Sequence, residues 1–373
     1  MANEDKATRY HRLQRRASFA AAALSTVFFL VLLASGASAA LRDLVSGDAA
    51  TASYAALFLY VLIVAAVHDL LQLPLAFYQG VVLEQRYGLS TQSTGRWLRD
   101  HLKAWSVGLA LVLAASSIAW TLLRWDPRWW WVWAAASFAA LLVLLAHLAP
   151  VVLLPLFYRF TPLDRPALAE RLLALARRAG TPVVGVFEWR VSDRTRKANA
   201  ALAGMGATRR ILLSDTLLAA HTDDEIEVIL AHELAHHVHH DIWSGVAVET
   251  GLIAAGFFFA DGVLTAFGES AGLAGKADIA ALPLLALAVG GVSVLLMPLA
   301  NALSRAHERR ADRYALTMTR NADAFISAMR RLAAQNLAEE RPSPMVEALF
   351  HSHPSASARI AAAEAWQRTS ADR

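Results

Sequence analysis

The chain has 373 residues, 56% hydrophobic and only 18% charged, with a mean hydropathy of +0.39. That is too apolar for an ordinary soluble domain and makes a lipid bilayer the expected solvent. The net charge of +4 and pI near 9.6 come with no nucleic-acid fingerprint, and the absence of cysteine excludes disulfides, thiolate ligands and cysteine nucleophiles.

The first apolar run, residues 17–41, follows Lys6, Arg9, Arg12, Arg15 and Arg16. Ala37-Ser38-Ala39 resembles a signal-cleavage site, but the uncharged run exceeds the usual signal core of about 7–15 residues, so an uncleaved anchor is expected. Residues 49–83, interrupted by His68 and Asp69, form a second candidate span, and the uncharged runs 104–123 and 129–158 a third and fourth. Residues 242–260, interrupted by Glu249, and 279–304 complete six. Arg86, Arg96, Arg99 and Lys103 fall between spans two and three, whereas the alternate loops hold few cations, so the N-terminus is expected in the cytoplasm. The even count returns both large polar regions to that side.

The expected fold class is therefore mainly α: a polytopic membrane protein of six helices with a cytoplasm-facing catalytic domain containing a small sheet. Residues 1–158 form a four-span membrane domain, 159–241 and 305–373 the two parts of the catalytic domain, and 242–304 the last two spans. The composition suggests a bacterial chain, hence an inner (plasma) membrane.

Within the first polar region, Asp164 is a candidate cap for a helix starting near Pro166, with Leu168, Leu172 and Leu175 on one face and Gly180 at its end. Residues 183–189, 198–203 and 210–213 predict two or three short strands. Thr222-Asp223-Asp224-Glu225 is a capping box, predicting a helix through His240. The region from Asn321 reads as helix, broken near Arg341-Pro342-Ser343-Pro344.

His232 and His236, four apart on that capped helix, share one face and can offer two imidazoles to one zinc ion, with Glu233 about 100° round beside it. A catalytic zinc takes three protein ligands and lowers the pKa of a water in the open position; Glu233 is the candidate base as that water attacks a peptide carbonyl. Neighbouring His237, His239 and His240 read as surface groups. His239 and Ile242 stand where a metzincin has Gly and a third His, so a distant carboxylate is required. Glu308 is the best candidate, with Asp312 one turn on accepting the other N–H of a ligand imidazole; spacing alone usually means a solvated helix face, and the pairing with a metal helix reverses that.

Several motifs together make the chain resemble the CAAX prenyl protease type I family of membrane gluzincins. They are Glu84-Gln-Arg-Tyr-Gly88, Asn199-Ala200, the His232 to His236 run, Ser304 to Asp312, and His353-Pro354-Ser355 with Arg359-Ile360. The resemblance implies one zinc per chain on His232, His236 and Glu308. It also implies His353 and Arg359 as groups positioning substrate or stabilising the oxyanion, and a strand near Asn199 binding the substrate backbone. It further implies a chamber between the membrane helices, which His68, Asp69, His147 and Glu249 would help line. The expected substrate is a membrane-associated polypeptide, and nucleic acid is not an expected partner. An alternative class is a transporter or scaffold with a structural zinc, for which the ligands but not Glu233 would matter.

Overall fold

The computed structural model describes residues 5–46, 53–204 and 206–371. Among these, six helices are long and apolar enough to cross a bilayer. Helix α1 (Lys6–Ala34) begins where the Asp5 carboxylate accepts from the N–H groups of Ala7 and Thr8. It does not continue to Leu41 as the uncharged run predicts. Gly36, at φ +74°, turns the chain into the short helix α2 (Ala37–Ser46). The cleavage-like tripeptide is packed there: the buried Ser38 hydroxyl donates to the Ala280 carbonyl at 2.8 Å and accepts from Tyr60 at 2.6 Å.

Residues 49–52 of the second predicted span lie outside the described residues. Its helix, α3 (Tyr54–Phe77), starts at a Ser53 cap and passes through a π-helical turn (Tyr78–Leu83) into α4 (Glu84–Arg86). Span three is α5 (Thr94–Trp125). Span four is α6 (Trp130–Leu148), which runs through a second π-helical turn (Ala149–Leu153) into α7 (Leu154–Phe157). Pro150 and Pro155 lack the N–H an unbroken α-helix would use, which accounts for the irregular turn.

The sheet follows. Strand β1 (Arg159–Pro162) precedes α8 (Pro166–Arg178), whose Leu168, Leu172 and Leu175 are fully buried. Each such burial contributes roughly 1.5–3 kcal/mol. The helix is capped by Arg165, with no side-chain bond, not by Asp164; Pro166 at its first position sets the start. Strands β2 (Val186–Arg190), β3 (Ala200–Ala203) and β4 (Arg210–Ser214) complete a sheet of order β1-β2-β4-β3, in which β2 and β4 run parallel. The four-residue β1, ending in a proline, carries too little pattern to be read from sequence.

After the short α9 (Asp215–Ala220), α10 (Asp223–Val238) carries the metal motif. Its capping box is formed in both directions: Thr222 accepts from the Glu225 N–H and Glu225 accepts from the Thr222 N–H. Ile226, Val228, Leu230, Ala231 and Leu234 are buried around its whole circumference, making it the central helix of the polar domain. It ends two residues before the predicted His240, which adopts a left-handed conformation (φ 57°) and starts α11 (Asp241–Phe267), span five.

Span six is α12 (Leu282–Thr319), preceded by a 3-10 turn (Ile279–Ala281). At 38 residues it extends about 57 Å, far beyond the roughly 30 Å hydrocarbon core. It therefore does not stop at Ser304, and its projecting end carries Glu308 and Asp312 beside α10. Helices α13 (Ala322–Asn336), α14 (Pro344–Phe350) and α15 (Ala356–Ala371) wrap the domain.

The membrane domain and the sheet are tied where Tyr10 donates to the Glu84 carboxylate, which also takes the Lys197 ammonium at 3.0 Å, just before β3. Between the spans lies a cavity of about 360 Å³ to which all six contribute, through Phe29, His68, Ser116, Phe138, Phe257 and Val289 among others. His68 lines it and bonds Ser25 at 2.9 Å, while Asp69 faces His101 at 3.3 Å. His147 and Glu249 are exposed and do not line it.

Candidate active site

The cap at Thr222 fixes the phase of α10, so His232 and His236 project together toward the projecting end of α12. Their Nε2 atoms lie 3.3 Å apart. The Glu308 carboxylate faces both, with Oε2 3.3 Å from His232 Nε2 and Oε1 3.4 Å from His236 Nε2. One ligand atom from each of the three residues lies within 4.8 Å of the others.

The far sides of both rings are held. His232 Nδ1 is 2.9 Å from Asp312, and His236 Nδ1 is 2.9 Å from Asp241. Donation of both Nδ1–H groups to carboxylates leaves both Nε2 lone pairs aimed inward, the tautomer a metal ligand needs. Asp241 was not singled out from the sequence. It became visible only because His240 turns the chain back, and Arg310 pins its other oxygen.

The donor set fits a divalent cation such as zinc: two imidazoles and one carboxylate with no thiolate. Glu308 Oε2 is buried and makes no hydrogen bond, although His353 Nδ1 lies 2.9 Å and His232 Nε2 3.3 Å from it. A buried carboxylate oxygen in that state calls for a cation. Burial opposes charge on His232, but the Asp312 and Glu308 carboxylates beside it outweigh that and raise its pKa to about 9. A bound cation would compete with this proton.

Glu233, half-buried, lies beside the convergent atoms, and desolvation pushes its carboxyl above the usual carboxylate range. His353 sits at the rim with its side chain 62% exposed, whereas Arg359 is mostly buried. Arg359 reaches Asp312 through Nη2 at 2.6 Å and Nε at 2.9 Å, and its Nη1 stands 4.0 Å from Glu308 Oε2. Asn199 stands one residue before β3; its N–H donates to the Ser214 hydroxyl and its carbonyl accepts from the Ser214 N–H, both at 2.9 Å. Among the described residues no hydrogen bond joins it to His232, His236 or Glu308. His237 is not a simple surface group: its Nε2 is 3.3 Å from the Leu202 carbonyl of β3, which fixes that edge strand against α10.

Residues 162–367 match the family model described as peptidase family M48. Residues 2–159 match one described as CAAX prenyl protease N-terminal, five membrane helices. In that region the chain has four candidate spans and the short α2. A Bacillus subtilis protein described as the uncharacterized metalloprotease YhfN is 30% identical over 96% of this chain and 84% of its own length. A probable CAAX prenyl protease 1 of Schizosaccharomyces pombe is 27% identical over 76% of this chain and 60% of its own length. The crystal structure of Saccharomyces mikatae Ste24p superposes with a TM-score of 0.86 at 22% identity, covering 96% of this chain and 88% of that one.

Proposed function

The chain belongs to peptidase family M48 as an integral-membrane metalloendopeptidase, and from that premise we propose that it cuts membrane-associated polypeptides with a single zinc ion held by His232, His236 and Glu308. The observation that carries the assignment is the convergence of two Nε2 atoms and a buried Glu308 carboxylate on one point, with Glu233 alongside. A structural zinc in a scaffold or transporter would need the ligands but not a desolvated carboxylate beside them.

Zinc, when bound, supplies Lewis acidity that polarises the scissile carbonyl and acidifies water. Glu233 takes the proton as water adds to the carbonyl, then passes it to the leaving amine; its raised pKa suits both transfers. Asp312 and Asp241 keep the ligand rings in their working tautomer, and Arg359 holds Asp312 in place. His353 stands at the rim as a donor to the developing oxyanion, and Arg359 reaches in from behind. The strand edge at Asn199 and β3 offers backbone groups to an extended peptide. The catalytic domain is assembled from the segments 159–241 and 305–373.

His353→Ala then lowers kcat by about 10²–10³ with KM and metal content little changed, because a donor aimed at transition-state charge contributes little to ground-state binding. Steady-state cleavage of a quenched fluorescent peptide in detergent reads this. Normal kcat and KM in both His353→Ala and Arg359→Ala would remove the two residues from the reaction.

The loop cations support a reading in which both catalytic segments lie on the cytoplasmic side of a bacterial inner membrane. Single cysteines in this cysteine-free chain test it. Those replacing the exposed Arg128 and Ser270 should react with an impermeant maleimide from outside, and those replacing Arg177 and Arg368 only after lysis. The inverse pattern would move the site, and its substrates, across the membrane.

A further inference from the structure

Away from the metal site, a groove of about 400 Å³ opens where the start of α5, the end of α7 and the β1–β2 pair meet. Six cations line it: Arg96, Arg99, Lys103, Arg159, Arg190 and Arg194. Asp193 and Asp100 are its carboxylates, and they are already engaged by Arg96 at 2.8 Å and Arg194 at 3.3 Å. Arg99, Lys103, Arg159 and Arg190 are exposed, and among the described residues none has an ion-pair partner.

The register sharpens the point. In the antiparallel β1–β2 pair, Arg159 and Arg190 stand directly opposite each other. Like charges directly opposite each other destabilise a strand pair, and an anion between them would relieve that repulsion. On α5, Arg96, Arg99 and Lys103 follow the spacing that keeps side chains on one helix face, and that face brings a second row of positive charge to the groove.

The position selects the anion. Lys103 directly precedes the uncharged run 104–123, and Arg159 directly follows the uncharged run 129–158, so the cations ring the groove at the level where two neighbouring spans leave the hydrocarbon. Leu156 and Phe157 form an apolar wall on its membrane side. Tyr158, packed edge-on against Trp189 and covered by the Arg194 guanidinium at 4.7 Å, is an interfacial aromatic anchor. Cationic groups above an apolar wall match a phosphate ester carrying acyl chains better than a free ion.

We propose that this groove binds the headgroup of an anionic phospholipid, with the phosphate between Arg159 and Arg190 and the acyl chains along Leu156 and Phe157. This goes beyond the protease assignment and does not depend on it. The lipid would fasten the sheet that carries β3 to the bilayer surface.

The test uses the purified full chain in detergent, stripped of lipid and offered equal amounts of phosphatidylglycerol and phosphatidylcholine, with native mass spectrometry reading what is retained. Wild type should keep phosphatidylglycerol at least about tenfold over phosphatidylcholine. The preference should vanish in Arg159→Gln/Arg190→Gln and, from a separate helix, in Arg99→Gln/Lys103→Gln, and persist in Arg128→Gln at the opposite end of the spans. An unchanged thermal unfolding midpoint in detergent certifies that each variant is folded. Equal preference in wild type and both groove variants would overturn the proposal. So would full displacement of the lipid by inorganic phosphate at constant ionic strength, which would make the ligand a free anion. Unchanged lipid retention with a raised KM for a peptide bearing a free C-terminal carboxylate would reassign the groove to substrate.

Discussion

Replacing Glu308 by alanine is expected to strip the purified protein of its metal, while Glu233→Gln keeps about one zinc per chain. Only the first removes a ligand; the second changes a group beside the ligand atoms without altering their number. The Glu308 side chain is buried on a helix that projects from the membrane, facing two rings whose outer nitrogens are already committed to Asp312 and Asp241. With alanine there, the two imidazoles lose their only anionic partner at the inner face. Asp312→Asn and Asp241→Asn should fall between these limits, weakening metal affinity by about 10–100-fold, as loss of a carboxylate that orients a ligand imidazole does. Metal analysis of the purified variants decides. Full zinc and activity in Glu308→Ala would redirect the third-ligand assignment to Asp312 or the His237–His240 cluster.

Turnover gives the second large effect. Glu233→Gln preserves shape and hydrogen-bonding capacity but cannot accept a proton, so kcat should fall by about 10²–10⁴ with zinc retained and KM little changed. The position of Glu233 explains why the loss is not simply made up by solvent: the carboxyl is half-buried beside the ligand side chains, and desolvation raises its pKa. The two neighbouring carboxylates are not free to replace it: Asp312 is engaged by His232 and Arg359, and Asp241 by His236 and Arg310.

The sequence was most informative where one element alone sets the structure. Uncharged runs fix spans because a bilayer leaves no choice, and Thr222 with Glu225 fixes the phase of α10, hence the shared face of His232 and His236. It was less informative where geometry depends on chain reversal or long-range packing. Gly36 divides the first apolar run, and the resulting α2 is held by Ser38 on Ala280 and by an Arg42–Asp278 ion pair more than 200 residues apart in sequence, a match no local pattern reveals. Asp241 lay in view five residues after His236, but a continuous helix would have carried it round the axis away from that ring. The left-handed turn at His240 brings it back. The unbroken course of α12 through Ser304 was hidden because its composition changes from apolar to charged while its backbone does not. That continuity anchors Glu308 and Asp312 to a membrane span, which gives the site a rigid wall.

The most direct measurement is zinc content and peptide cleavage determined on the same preparations of wild type, Glu233→Gln and Glu308→Ala, with mass spectrometry of the products. The account predicts internal peptide-bond cleavage by zinc-loaded wild type, near-complete inactivity of equally zinc-loaded Glu233→Gln, and loss of both metal and activity in Glu308→Ala. Cleavage by Glu233→Gln at the wild-type rate would contradict it and leave the metal a structural role.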